Sequence, residues 1–191
     1  MRPALLLCVA LAACKPVAPA PQPSPAAQNV AAVATAGKEI CKPGAPKTRV
    51  KPAGYDFPVL SGRVVDSAGL LSIGARRKLS NQLVDAERRS KHQFVVVTVK
   101  SLGGHTIEEY GLNLGNFWGI GRPCVADGVL LIVAPNERKV RIEVGKGLET
   151  VLTNEEARAI IETDILPRFK AGNLPDGIAL GSEAIIREIT R

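Results

Sequence analysis

Gly128-Val129-Leu130-Leu131-Ile132-Val133-Ala134, then Pro135-Asn136-Glu137-Arg138, then Lys139-Val140-Arg141-Ile142-Glu143-Val144 is the stretch that decides the fold. Its first seven residues carry no polar side chain and include three β-branched ones. Such a run reads as a strand buried on both faces, which needs cover above and below the sheet. The next four residues are a turn. Apolar and charged side chains then alternate, the pattern of a strand with one wet face. Together they predict an antiparallel hairpin over residues 128 to 144.

Working outward, Phe94-Val95-Val96-Val97-Thr98-Val99 is a second buried-strand run, and Gly62 to Asp66 is a short extended entry. Helices separate these strands. Ser72 can cap a helix from Ile73 to Ser90, with Leu79, Leu83 and Ala86 at helical spacing. Thr106-Ile107-Glu108-Glu109 has the form of a capping box and opens a helix through Tyr110, Leu114 and Phe117. Thr153-Asn154-Glu155-Glu156 repeats the device and opens a helix that Pro167 is expected to interrupt. Pro175 suits the first turn of a last helix ending near Ile189. The order predicts the α/β class: a single compact α/β/α sandwich around a central, mostly parallel sheet with one antiparallel hairpin.

The N-terminal third does not belong to that domain. Residues 1–13 read as a signal peptide, with Arg2 followed by an apolar run too short to span a bilayer. Leu11-Ala12-Ala13-Cys14 resembles the lipobox of bacterial lipoproteins, which implies cleavage before Cys14 and its lipidation. Lys15 then follows where an aspartate would favour retention at the inner membrane. The expected place is therefore the cell envelope, periplasm-facing, with the outer membrane favoured. Residues 14–60 read as a Pro/Ala-rich disordered tether, because such composition cannot bury enough surface to offset its ordering entropy. Residues 61–191 remain for the folded domain, a size that supports a full core.

The formal charge is +7. Lys15, Lys38, Lys42, Lys47, Arg49 and Lys51 against Glu39 and Asp56 put much of the excess in the tether. A nucleic-acid-binding protein would concentrate that charge on its domain, so that class is set aside. The expected partners are the membrane, through the lipid anchor, and membrane-protein complexes of the envelope. Nothing in the sequence demands a dimer, and a monomer is expected. Cys41 and Cys124 would share a compartment that permits disulfides, as a bonded pair or as two separate thiols.

The motifs now become specific. Val64-Val65-Asp66-Ser67-Ala68-Gly69-Leu70-Leu71 opens the domain, and Val95-Val96-Val97-Thr98-Val99 follows a helix. Trp118-Gly119-Ile120-Gly121 ends the next helix. Asp127-Gly128-Val129-Leu130-Leu131-Ile132 leads into Arg138 to Glu149, and Ile165-Leu166-Pro167-Arg168-Phe169 comes late. In order and spacing, residues 62–190 resemble the TPM domain, a family of thylakoid-lumen, bacterial-envelope and receptor-auxiliary proteins. The resemblance implies a compact α/β sandwich. It also implies divalent-cation binding, often calcium, in some members, acid-phosphatase activity in some, and assembly or repair roles in others. One departure stands out. The loop before Asp127 commonly ends in Asp-Asn-Gly, whereas here it reads Arg122-Pro123-Cys124-Val125-Ala126-Asp127-Gly128.

Asp66 and Asp127 are the candidate metal ligands. Each flanks an apolar segment, and the resembling motifs contain both. Two carboxylates with backbone carbonyls and water could hold a hard cation such as calcium. Equally, Asp66 could cap a turn and Asp127-Gly128 could be a turn dipeptide. Glu143 is a weaker third candidate, alternating with Arg141. Gly145-Lys146-Gly147 lacks the spacing of a phosphate loop and reads as a glycine turn leaving a strand. Glu108-Glu109 and Glu155-Glu156 sit in first turns, where acids favour the helix dipole.

Two functions remain open. One is a divalent-cation-binding, non-catalytic assembly or interaction module on a membrane-anchored lipoprotein. The other is a metal-dependent acid phosphatase, in which a cation bridging Asp66 and Asp127 polarises a phosphoryl oxygen or one aspartate acts as nucleophile, with Arg122, Arg138 and Lys146 as candidates to hold phosphate.

Overall fold

The structure is a computed structural model in which residues 49–191 are described. The expected signal peptide, the lipidation site Cys14, Cys41 and most of the expected tether lie outside the described residues.

Strands β1 (Val64–Asp66), β2 (Gln93–Thr98), β3 (Gly128–Ala134) and β4 (Lys139–Val144) form one sheet in the order β1-β2-β3-β4. β1, β2 and β3 run parallel, and β3 and β4 form the antiparallel hairpin. The mostly parallel α/β sheet expected from the sequence is the sheet that forms.

Local chemistry sets the helix boundaries. Helix α1 (Ile73–Ser90) begins where the Ser72 hydroxyl accepts the Ala75 amide at 3.1 Å. Helix α2 (Ile107–Trp118) has both halves of the Thr106–Glu109 capping box, and Gly119 ends it in the left-handed region. Helix α3 (Asn154–Ile160) starts at the second box, Thr153–Glu156. Pro167 does not interrupt the helical path as expected. Residues Ile161–Ile165 form a π-helical turn, in which the Leu166 amide bonds back to the Ile161 carbonyl, and α4 (Leu166–Lys170) continues from it. Proline has no N–H to donate to the preceding turn, and a widened turn accommodates the loss without breaking the path. Helix α5 (Leu174–Ile189) closes the chain, capped by Asn173.

The β-branched strands bury both faces. On one, Leu79, Leu83 and Ala86 of α1 join Phe94, Val96, Leu131 and the helices after residue 154. On the other, Tyr110 and Leu114 of α2 lie over Val95, Val97, Leu130 and Ile132. The two crossovers, through α1 and through α2, step the same way across the sheet yet lie on opposite faces. They are therefore of opposite hand, and one departs from the right-handed rule that governs about 98% of such units.

Helix α2 alone does not cover its face; residues 55–58 complete it. Phe57 is 8% exposed and meets the Tyr110 and Phe117 rings at centroid distances of 5.1 and 5.6 Å. Trp118 Nε1 donates to the Pro58 carbonyl at 3.1 Å, and the Tyr110 hydroxyl donates to the Asp56 carbonyl at 3.0 Å. Tyr55 stacks on His105 at 3.9 Å. Arg49 donates to the Trp118 carbonyl at 2.6 Å, a cation at a helix C-terminus. The sequence reading ends the tether at residue 60, but this strap belongs to the domain's packing back to Arg49.

Candidate functional site

Asp66 is the last residue of β1, where the chain turns into the Ser67–Ser72 loop. Its Oδ1 accepts the Leu70 amide at 3.0 Å and the Thr98 hydroxyl at 2.5 Å. Its Oδ2 accepts the Leu71 amide at 2.9 Å. Thr98, fully buried on β2, also receives the Ala68 amide on its hydroxyl at 3.1 Å. Gly69, at φ +70°, gives the loop the left-handed step that returns these amides to the carboxylate. Asp66 is thus the cap of its own loop, the turn role that its sequence allowed.

Asp127 immediately precedes β3 and is 0% exposed. Its Oδ1 accepts the Arg122 amide at 2.7 Å. Its Oδ2 faces Arg122 Nε at 2.6 Å, Arg122 Nη2 at 2.5 Å and His92 Nδ1 at 3.2 Å. Burial pushes this carboxyl up, but the Arg122 side-chain and backbone hydrogen bonds, with that of His92, outweigh it and hold it below 3.8. A histidine oriented by a buried carboxylate is one form that an acid–base group takes. Here the same carboxylate oxygen also grips a guanidinium, and the arrangement works as a clasp between the start of β2 and the loop before β3.

The loop so clasped is tightly built. Cys124 and Ala126 stand at φ +68° and +53°, where non-glycine residues are uncommon. The Gln93 side-chain carbonyl accepts the Gly121 amide at 2.8 Å. Gly145 and Gly147 lie flat against it: their amides donate to the Gly128 and Ala126 carbonyls at 2.8 and 3.1 Å. A Cβ on Gly145 would fall on the Ala126 carbonyl and one on Gly147 on the Val125 carbonyl. The Gly-Lys-Gly stretch is thus a glycine turn shaped by close backbone approach.

The two aspartates do not converge. Asp66 leaves β1 and is level with Thr98, which is level with Val133; Asp127 precedes β3, level with the start of β2. Asp127 and Val133 are six residues apart, which at strand rise is about 20 Å. Ligands of one calcium ion lie within roughly 5 Å of each other. One cation therefore does not reach both Asp66 and Asp127, because parallel strands carry a strand-exit residue and a strand-entry residue to opposite poles. Among the described residues no group of three or more His, Cys, Asp or Glu side chains is gathered as a metal site would need.

The other candidates divide the same way. Arg122 and Lys146 flank the Asp127 pole, while Arg138, in the β3–β4 turn, lies at the far one, so the three do not surround a common phosphate. Glu143 accepts Arg141 Nε at 2.6 Å, and both side chains lie half-buried beneath Gly111 of α2. At the Asp66 pole, Glu137 accepts the Leu102 amide at 2.8 Å and the Ser101 hydroxyl at 2.9 Å. The Leu102 bond chiefly lowers its pKa. Burial, then the charges of Asp56 and Glu137, push the Tyr110 phenol up to about 12. Cys124 is exposed, and its expected partner Cys41 lies outside the described residues. The sequence reading missed His92 as the partner of Asp127. The signal was present in position alone, since both residues directly precede neighbouring parallel strands.

An α/β domain with a loop-capping aspartate at one pole and a clasped aspartate at the other defines the class, and comparison supplies the family. The model of the TPM domain matches residues 64–188, and the chain belongs to that family. No curated protein matches the chain. Among solved structures, the N-terminal domain of a protein from P. gingivalis is 32% identical, with a TM-score of 0.62, over 68% of this chain and 83% of that one. The BA42 protein of the psychrophilic bacterium Bizionia argentinensis is 19% identical, with a TM-score of 0.55, over 62% of this chain and 81% of that one. The N-terminal domain of the cg2496 protein from Corynebacterium glutamicum is 16% identical, with a TM-score of 0.54, over 73% of this chain and 88% of that one. The last two likenesses bear on the fold alone.

Proposed function

We propose that this TPM-domain protein is a lipid-anchored, periplasm-facing envelope protein whose domain works as a non-catalytic interaction module. The carrying observation is the use made of Asp66 and Asp127: each carboxylate is occupied in holding a loop. The lipobox-like Leu11-Ala12-Ala13-Cys14 supports the anchor, and the residues that follow it supply reach. A divalent cation, calcium by preference, enters this proposal at one pole at a time. At the Asp66 pole one protein carboxylate and main-chain oxygens would hold it, a small ligand set that implies weak binding. The strand directions speak against the acid-phosphatase form in which one cation bridges both aspartates, and the hydrogen bonds that occupy each carboxylate speak against the form in which one aspartate is the nucleophile.

The test has two arms. Metabolic labelling with palmitate is expected to mark the wild-type chain and not Cys14→Ala. Crosslinking in cells is expected to recover an envelope membrane protein with the chain. No label overturns the anchor. Recovery of no partner, together with metal-dependent phosphate-ester hydrolysis by the purified chain, overturns the interaction module.

A further inference from the structure

We propose that the Asp127 pole of the domain is a docking face for an anionic lipid surface, a reading that rests on the lipid-anchored function above. Arg122, Pro123, Cys124, Val125 and Ala126 are all exposed, and Val125, an apolar side chain, is 43% exposed at the loop tip. This tip is already ordered, by the Asp127 clasp behind it and by Gly145 and Gly147 beside it. Presenting it to an interface therefore costs little further conformational entropy.

Basic groups frame the tip. Arg89 and Lys91, exposed at the end of α1, lie at the start of β2 beside His92. Lys146 is exposed in the turn that touches Val125 and Ala126. Of the acids near this pole, Asp85 pairs with Arg88, Glu87 with Arg63 and Asp127 with Arg122, while Glu149 and Glu155 are exposed. An apolar tip inside a basic rim matches an interfacial surface, where apolar insertion and attraction to anionic headgroups add.

The path of the chain points the same way. Arg49, held at Trp118 beside this loop, brings the start of the described chain to this pole.

The experiment uses residues 14–191 with Cys14→Ser, which bears no lipid, and sedimentation with vesicles. One set is phosphatidylcholine, the other a phosphatidylcholine–phosphatidylglycerol mixture. Binding is expected to the mixed vesicles only and to weaken with salt. Val125→Asp, on an exposed side chain, is expected to lower it several-fold. Lys91→Asn with Lys146→Gln is expected to lower it further, by roughly fivefold for each charge removed. Far-ultraviolet circular dichroism checks that both variants stay folded, and Asn keeps the left-handed position of Lys91 tolerable. Absent binding overturns the docking face, as an acidic protein partner for this pole would predict. Binding unchanged in both variants also overturns it, since the basic tether alone would then carry the attraction. Palmitate labelling reads the anchor separately, so an unlipidated Cys14 overturns the function without touching the vesicle result.

Discussion

Asp66 and Asp127 hold loops at opposite poles of one sheet, and they do so with different kinds of partner. Asp66 is satisfied by two amides four and five residues on and by one neighbouring hydroxyl. Asp127 is fully buried and satisfied by a guanidinium and an imidazole, the latter 35 residues away. The first arrangement is neutral on the donor side, with two local amides and one hydroxyl from the next strand. The second has a guanidinium among its donors and buries a charge. A cap with neutral donors can be weakened without leaving an unpaired charge in a dry interior. A buried charge cannot lose its partner so cheaply.

The largest effect expected is therefore at the second pole. Arg122→Ala leaves the buried Asp127 carboxylate with His92 and the backbone amide of residue 122 but no guanidinium, and should destabilise the domain by about 3–5 kcal/mol. Urea unfolding at neutral pH measures it. Asp127→Asn removes the buried charge instead, and Arg122, 53% exposed, can turn to water. It should cost less than Arg122→Ala. The reverse order would mean that the clasp is held by something other than charge pairing.

Glycines sharpen the comparison next. Gly147→Ala places a methyl group on the Val125 carbonyl, a backbone atom that cannot swing away. About 3 kcal/mol is expected from such overpacking. Gly69→Ala at the Asp66 loop meets nothing within 4 Å and pays only for φ +70°. About 1–2 kcal/mol is expected there. Thermal unfolding of the two variants side by side distinguishes a wall of close backbone contacts from a single left-handed residue. Asp66→Asn should cost about 1 kcal/mol, because the amide oxygen keeps part of the cap.

Much of this architecture is legible in the sequence, and the parts that are not share a physical cause. The β-branched runs at 94–99 and 128–134, the two capping boxes and the Ser72 cap act locally, and each forms as its residues suggest. The meeting of His92 with Asp127 depends on the register between β2 and β3, which no local pattern encodes. Strand direction would have kept Asp66 and Asp127 apart, because one follows its strand and the other precedes its own. The strap at 55–58 was hidden by the proline-rich composition around it. Its Phe57 fills the half of a sheet face that α2 leaves open, and only the tertiary structure reveals that gap. Pro167 misled for the opposite reason, since the cost of a proline depends on whether the preceding turn can widen.

Acid is the last and finest way to separate the poles, because a carboxyl held below its ordinary value lies at each. At the Asp127 pole it is Asp127 itself, whose Arg122 and His92 hydrogen bonds overcome burial. At the Asp66 pole it is Glu137, lowered chiefly by the Leu102 amide. A carboxyl that binds its proton more weakly when folded adds stability above its unfolded pKa and loses it as pH falls through the folded value. The stability gap between wild type and Glu137→Gln should accordingly stay constant at neutral pH and begin to close below about 4.5. The gap for Asp127→Asn should hold down to about 3.8 before it closes. Urea midpoints across that range measure both. If the Asp127→Asn gap instead widens on acidification, the folded carboxyl binds its proton more tightly than the unfolded one. Burial would then outweigh Arg122, and the clasp would be a hydrogen-bonded neutral acid instead of an ion pair.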